Sequence, residues 1–349
     1  MDQAKVEAFA HQALGDVSGA LTAALAVIGD KLGLYKAMAS AGPLTSADLA
    51  TRTGTKERSI REWLAAQAAA GYVTYDAATR SYTLPPEHAV VLTQEDSPAC
   101  VIGAFHGMVS ATHAEGKVAE AFRTGKGLGW HEHDPGLFVG VERFFRPGYN
   151  AHLIDSWLPA LEGVKEKLER GIRVADIGCG LGASTIIMAK AFPKSTFVGF
   201  DYHDESIDKA RSRAAAAGVT KNVSFTVASA KNFPGTYDLI ACFDCLHDMG
   251  DPSGAAKHIR EALAPGGTWM LVEPFAGDKV EDNLNPVGRL YYSVSTLVCT
   301  QASLAQEVGT ALGAQAGEGC LRELAGKAGF THFRRAAQTP FNLVFEARA

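Results

Sequence analysis

The chain has 349 residues, 47% of them hydrophobic and 20% charged, with a formal net charge of −5 and a pI of about 6.1. That size and balance fit a folded protein of two domains, and they exclude a disordered or fibrous chain. The acidic excess argues against a protein built to coat nucleic acid. Six cysteines, Cys100, Cys179, Cys242, Cys245, Cys299 and Cys320, show no framework spacing, so reduced thiols in a cytoplasmic protein are expected. Cys242 and Cys245 lie in an apolar run with no second pair, which favours packing over a zinc site. The start Met-Asp-Gln-Ala-Lys does not resemble a secretory leader, and Leu21–Gly29 is too short to span a bilayer, so no membrane partner is expected. There is no lipidation motif and no internal repeat.

Residues 1–98 predict helices closed by one hairpin. Ala20–Met38 carries apolar residues at helical spacing. Thr45 or Ser46 caps a short helix that Gly54 ends, and a third helix runs from Thr55 through Trp63 to Gly71. Tyr72–Tyr75 and Ser81–Leu84 then predict a β-hairpin, closed by Pro85-Pro86. Helix, helix, helix, hairpin is the order of a winged helix. Residues 99–165 read as a helical connector with a Gly-rich interruption at Gly125–Gly136.

From about residue 166 strands and helices alternate. Strands are predicted at Arg173–Ile177, Thr196–Asp201, Ser224–Ala228, Leu239–Phe243 and Thr268–Val272, with helices at Ala183–Ala191, Ser206–Ala217 and Ala255–Ala264. That alternation implies right-handed βαβ units and a parallel sheet covered on both faces. Residues 276–318 read as a helical insertion. The helix Leu321–Ala328 and strands Thr331–Ala337 and Asn342–Ala347 close the chain.

Val174-Ala175-Asp176-Ile177-Gly178-Cys179-Gly180-Leu181-Gly182 follows a predicted strand and opens a predicted helix. Glycines there let the backbone turn tightly and approach a ligand. A dinucleotide fingerprint would place glycine at 183, where this chain has Ala183. Asp176, two residues before Gly178, decides between the readings. A pyrophosphate prefers a helix N-terminus without acids, whereas a sulfonium and an amino group gain from a carboxylate. The segment resembles the acidic Gly-x-Gly-x-Gly signature of class I S-adenosylmethionine (SAM) methyltransferases. That resemblance implies SAM as cofactor, with Asp176, Gly178, Gly180 and Gly182 around it. Asp201, at the end of the second strand, is placed to accept hydrogen bonds from ribose hydroxyls, and Tyr202 to flank adenine. The family's adenine-contacting acid is replaced here by Ser229, followed by Ala230.

Phe243-Asp244-Cys245-Leu246-His247-Asp248-Met249 follows the fourth strand, where ligands of open α/β sheets lie. It resembles the His-Asp segment of small-molecule O-methyltransferases that carry an N-terminal winged-helix dimerisation domain. The resemblance implies Phe243 and Asp244 at the cofactor, His247 as general base with Asp248 beside it, and Glu273 as the carboxylate that orients the imidazole. Met249 stands where that family usually has tryptophan, and Glu318 is out of register for a third family acid. Phe243–Met249 and Asn342–Arg348 also resemble segments of bacterial methyltransferases of this layout, some labelled as transcriptional regulators.

The connector adds Trp130-His131-Glu132-His133-Asp134 and Tyr149. Ligand-type residues at adjacent spacing rarely share one face, so no metal is expected and the segment reads as a lid. Trp130 and Tyr149 are expected at the SAM site, and His106 in the pocket.

Taken together, the expected fold is α/β. A Rossmann-like seven-stranded methyltransferase sheet, its last strand antiparallel, occupies residues 166–349, with a substrate-side insertion at 276–318. An N-terminal all-α winged-helix domain (1–98) and a helical connector and lid (99–165) precede it. The expected activity is direct methyl transfer to an oxygen or sulfur nucleophile of a small-molecule acceptor, in a homodimer joined through the N-terminal domain. Two alternatives stand beside it: a SAM-responsive transcriptional regulator, and a thiol or sulfide S-methyltransferase. Residues 1–98 hold 8 Lys and Arg against 11 Asp and Glu, which disfavours nucleic acid as a partner.

Overall fold

Gly33 divides the first stretch of the chain. A helix expected over Ala20–Met38 instead spans Gln3–Lys31, stops where Gly33 takes φ 68°, and resumes as Leu34–Met38. A left-handed residue cannot continue an α-helix, and glycine adopts that conformation at least cost. The computed structural model describes residues Met1–Ala349 in full. They divide into two compact units: Met1–Ser110 with Val139–Pro147, and Ala111–Phe138 with Gly148–Ala349.

The first unit contains the winged helix. Thr45 and Asp48 form a reciprocal capping box on the helix Ser46–Thr53, which ends at Gly54 in the left-handed conformation. The helix Glu57–Ala69 follows, then β1 (Thr74–Asp76) and β2 (Ser81–Thr83), which pair antiparallel. Leu34, Tyr35, Met38, Leu49, Ile60, Trp63 and Leu64 make the core. The N-terminal helix joins it only by its C-terminal end. Ala26, Val27 and Gly29 are buried, and Trp63 Nε1 donates to the Leu25 carbonyl. Upstream, Phe9, Leu14, Val17 and Leu21 are exposed. By length and composition this helix could cross a membrane, with a mean hydropathy of 1.3 in its most apolar stretch. The shorter apolar run Leu21–Gly29 did not reveal that.

The stretch 99–165 is shared between the units. Helix Ile102–Thr112 meets residues 139–147 of the helix Gly136–His152 backbone to backbone. A Cβ on Gly140 would stand 2.1 Å from the Gly107 nitrogen, and one on Gly103 2.4 Å from the Arg143 carbonyl carbon. Contacts this close admit only glycine. Asp30, Glu95, His106, Arg143 and Arg146 form an ion network in the same unit.

The second unit is built on a seven-stranded sheet in the order β5-β4-β3-β6-β7-β9-β8. Its strands are β3 (Arg173–Ile177), β4 (Thr196–Asp201), β5 (Val223–Val227), β6 (Tyr237–Phe243), β7 (Leu263–Pro274), β8 (His332–Gln338) and β9 (Asn342–Arg348). The strands β3 to β7 pair parallel with their neighbours, and β9 is antiparallel to both β7 and β8. Ile240, Cys242, Trp269, Leu271 and Phe345 are wholly buried, as strands covered on both faces must be. The strand order reverses between β3 and β6. That switch point opens a crevice at the carboxyl ends of the strands, and the loop after β3 and the loop after β6 meet there.

Candidate active site

The loop after β3 is shaped for a ligand. Gly178 and Gly182 take φ 71° and 79°, and a Cβ on either would stand 2.7 Å from the Cys245 sulfur or the Phe225 ring. Gly180, also left-handed, faces open space. Asp176 is buried beneath the loop. Its Oδ2 accepts from Ser184 Oγ and Thr185 Oγ1, both at 2.6 Å, while its Oδ1 has no hydrogen-bond partner. Burial raises its pKa to about 6 against the lowering effect of the two hydroxyls, with Asp201 adding to the rise. A buried carboxylate oxygen without a partner is costly unless a donor reaches it. Ser184 and Thr185 were not singled out in the sequence, although two hydroxyls on an otherwise apolar helix start were the available signal.

Asp201 ends β4. Its Oδ2 accepts from the Gly180 amide and its Oδ1 from the His203 amide, both at 2.9 Å. Two of its roughly four lone-pair positions therefore remain for hydroxyl donors. Burial raises its pKa. Tyr202 follows and is half exposed. His203 stacks on Phe138 with ring centroids 4.9 Å apart and planes at 10°. Phe138 in turn meets Trp130, which lies on a single 3-10 turn, at 5.6 Å. Trp130 thus reaches the β4 side through Phe138. Ser229 donates to Asn232 Oδ1 at 3.0 Å in a local turn beside Ala230.

His247, after β6, is buried. Its Nδ1 lies 2.5 Å from Glu273 Oε2, and Glu273 Oε1 accepts from the Leu246 amide at 3.0 Å. Glu273 stands at the end of β7, beside β6, so sheet register sets the pair. On the far side, His247 Nε2 is 3.2 Å from Asp248 Oδ1, an atom with no aligned hydrogen bond. Burial alone would lower the His247 pKa. The charges of Glu273 and Asp248 reverse that and raise it well above the usual value. The buried thiol of Cys299 joins this group, the three ligand-type atoms lying within 4.8 Å of one another. Cys299 ends a π-helical turn, Ser295–Cys299, inside the helical insertion. Ser303 Oγ and Gln306 Nε2 tie that insertion to the Met249 and Asp248 carbonyls. The sequence offered no spacing signal for Cys299.

Asp244 adopts φ 51° and is clamped from two sides. Tyr149 donates to its Oδ2 and Asn342 to its Oδ1, each at 2.7 Å. Asn342 begins β9, and because β9 runs antiparallel to β7 that beginning lies opposite Pro274 at the carboxyl edge. Burial raises the Asp244 pKa to about 8 despite the Tyr149 and Asn342 hydrogen bonds. Tyr149 also packs on Phe243 with centroids 5.4 Å apart.

His106, expected in the pocket, is committed to Asp30 in the first unit at 2.7 Å, where a buried carboxylate demands a donor. The run His131–Asp134 diverges as its spacing implied, with His131 exposed and His133 buried. Both ring nitrogens of His133 lack partners, and burial lowers its pKa.

Residues 168–317 match the model of a methyltransferase domain. The chain carries a methyltransferase domain. Residues 20–94 match an Rv2258c-like winged HTH domain. Among curated relatives, the norajmaline N-methyltransferase of Rauvolfia serpentina is 28% identical over 144 residues, 38% of this chain and 49% of that protein. The 27-O-demethylrifamycin SV methyltransferase of Amycolatopsis mediterranei is 30% identical over 146 residues, 39% and 53% of the two chains. The chain thus spans about half the length of the curated relatives it matches. Solved structures extend the likeness in fold to almost the whole chain. A mitomycin 7-O-methyltransferase superposes with TM-score 0.69 at 20% identity, covering 99% of this chain and 100% of that one. Human N-acetylserotonin methyltransferase in complex with SAM superposes with TM-score 0.71 at 19% identity, covering 97% of each. The methyltransferase domain and the winged helix therefore stand in one chain, in the order expected from the sequence, and the sheet has the expected antiparallel strand.

Proposed function

We propose that this protein is a SAM-dependent methyltransferase that acts on an oxygen or sulfur nucleophile of a small molecule, with His247 as general base. The observation that carries this reading is the buried His247–Glu273 pair at the carboxyl edge, beside the Gly-rich loop of a methyltransferase domain. Structural neighbours bound to SAM or S-adenosylhomocysteine support the cofactor.

The residues present fit that cofactor. The partnerless Asp176 Oδ1 suits an ammonium group, Gly180 faces open space, and Asp201 retains acceptor positions for a ribose. Tyr202, Ser229, Ala230, Phe243 and Asp244 complete the proposed cofactor site. SAM, when bound, supplies an electrophilic methyl group on a sulfonium. The chain's part is to place the acceptor in line and take its proton. Glu273 holds the Nδ1 proton of His247 and fixes the ring, and because the two carboxylates favour the imidazolium, the Nε2 proton must first leave toward Asp248 or solvent before Nε2 can receive the acceptor's proton. The same carboxylate then balances the imidazolium charge. Trp130 and Tyr149 are proposed to close over this site.

The exposed stripe Phe9, Leu14, Val17 and Leu21 supports a homodimer through the N-terminal helix. Burying each leucine or phenylalanine there would contribute roughly 1.5–3 kcal/mol. Arg61 forms a bidentate pair with Glu57 at 2.8 and 2.6 Å, and Arg58 pairs with Glu62 at 2.5 Å. Those pairs leave the helix little charge for a phosphate backbone, which supports a clasp over a DNA reader.

A screen of phenols, carboxylates and thiols for S-adenosylhomocysteine release tests the activity. His247→Ala is expected to abolish turnover while SAM binding persists; retained turnover would remove His247 from the mechanism.

A further inference from the structure

We propose that His247, Asp248 and Cys299 form a binding site for one divalent cation of the zinc class. Their ligand atoms, Nε2, a carboxylate oxygen and Sγ, converge within 4.8 Å, and Nε2 and Oδ1 already stand 3.2 Å apart. Nitrogen, oxygen and sulfur together suit zinc or cobalt and disfavour magnesium or calcium, which want oxygen alone.

Two further observations point to a ligand. Glu273 holds Nδ1 of His247 at 2.5 Å, and a carboxylate behind a metal-bound imidazole is the usual means of fixing its orientation. Asp248 Oδ1 makes no aligned hydrogen bond, its one polar neighbour being His247 Nε2 at 3.2 Å, itself a ligand atom of the site.

The three ligands come from two separate segments. Asp248 and His247 sit on the turn after β6, and the π-helical turn Ser295–Cys299 adds one residue to a helical turn and so sets the phase at which Cys299 meets them. A bound cation takes the Nε2 lone pair that proton transfer needs. Cation binding and the proposed base chemistry therefore exclude each other, and zinc would inhibit turnover.

Cation binding can be read without any acceptor or turnover, so its failure is distinct from failure of the methyl-transfer reading. The full chain, stripped of metal, is titrated with Co²⁺ alone. A sulfur-to-cobalt charge-transfer band saturating at a single equivalent is expected. Cys299→Ser should abolish the band, and Cys320→Ser, which alters an exposed thiol, should keep it. His247→Gln, which keeps the sulfur, should weaken cobalt binding at least tenfold and decides the matter if Cys299→Ser does not fold. X-ray absorption of the zinc-loaded protein should show one sulfur at about 2.3 Å and nitrogen or oxygen at about 2.0–2.1 Å. Absence of the band, its survival in Cys299→Ser, or unchanged affinity in His247→Gln would overturn the proposal.

Discussion

Nδ1 of His247 and Oε2 of Glu273 lie 2.5 Å apart in a site where both side chains are nearly inaccessible to water. The pair joins the turn after one strand to the end of the next, and its spacing depends on the register of β6 with β7. Replacing Glu273 by Gln keeps the volume and an acceptor for the Leu246 amide, but removes the charge that balances an imidazolium. Turnover should fall by about a hundredfold or more, with SAM affinity little changed. Calorimetry of SAM binding beside steady-state kinetics checks this, and equal losses in both would assign Glu273 a purely structural role.

Asp176 should make cofactor binding pH-dependent. Burial, opposed by Ser184 and Thr185 and aided by Asp201, sets its pKa at about 6. Below that pH the carboxyl is neutral and its attraction for an ammonium group is lost. SAM affinity should therefore decline as pH falls through about 6. Asp176→Asn should bind about tenfold more weakly at pH 7.5, the scale of one hydrogen bond to a charged group, and should lose the pH dependence. A wild-type affinity that does not change between pH 5 and 7.5 would contradict this.

Asp244 predicts the opposite signature, in stability. Its folded pKa, raised by burial to about 8, lies above that of an unfolded carboxyl. The folded chain thus holds this proton more tightly than the unfolded chain. The stability it contributes is complete below the unfolded pKa and is lost as pH rises through about 8. Asn suits the left-handed backbone at this position. Asp244→Asn should gain on the wild type as pH rises from 5 to 8, by at least about 3 °C in melting temperature. A constant gap between the two melting curves would refute the assignment.

Leu21 is 65% exposed on the N-terminal helix, in line with Leu14 at 63%. A charge there should break a dimer that buries this stripe without disturbing the core, which the helix joins only near Ala26 and Val27. Sedimentation of Leu21→Arg should show monomers at concentrations where the wild type is dimeric. A wild-type chain that sediments as a monomer would dispose of the clasp.

Local patterns determined much of this molecule. Strand and helix alternation, the capping residues Thr45 and Gly54, and Asp176 ahead of three glycines are short-range features, so they could be read from the residues alone. His247 and Glu273 could also be picked out, one in the loop after a strand and the other at a strand's end, because both strand patterns were clear. What only the tertiary structure decided depends on distant segments meeting. Asn342 reaches Asp244 because β9 runs antiparallel, Phe138 stacks on His203, and a π-helical turn brings Cys299 to His247. The Asp30 partner of His106 and the helix break at Gly33 were not legible for the same reason. A side chain's partner, and a glycine's dihedral angle, are set by packing that local periodicity does not encode.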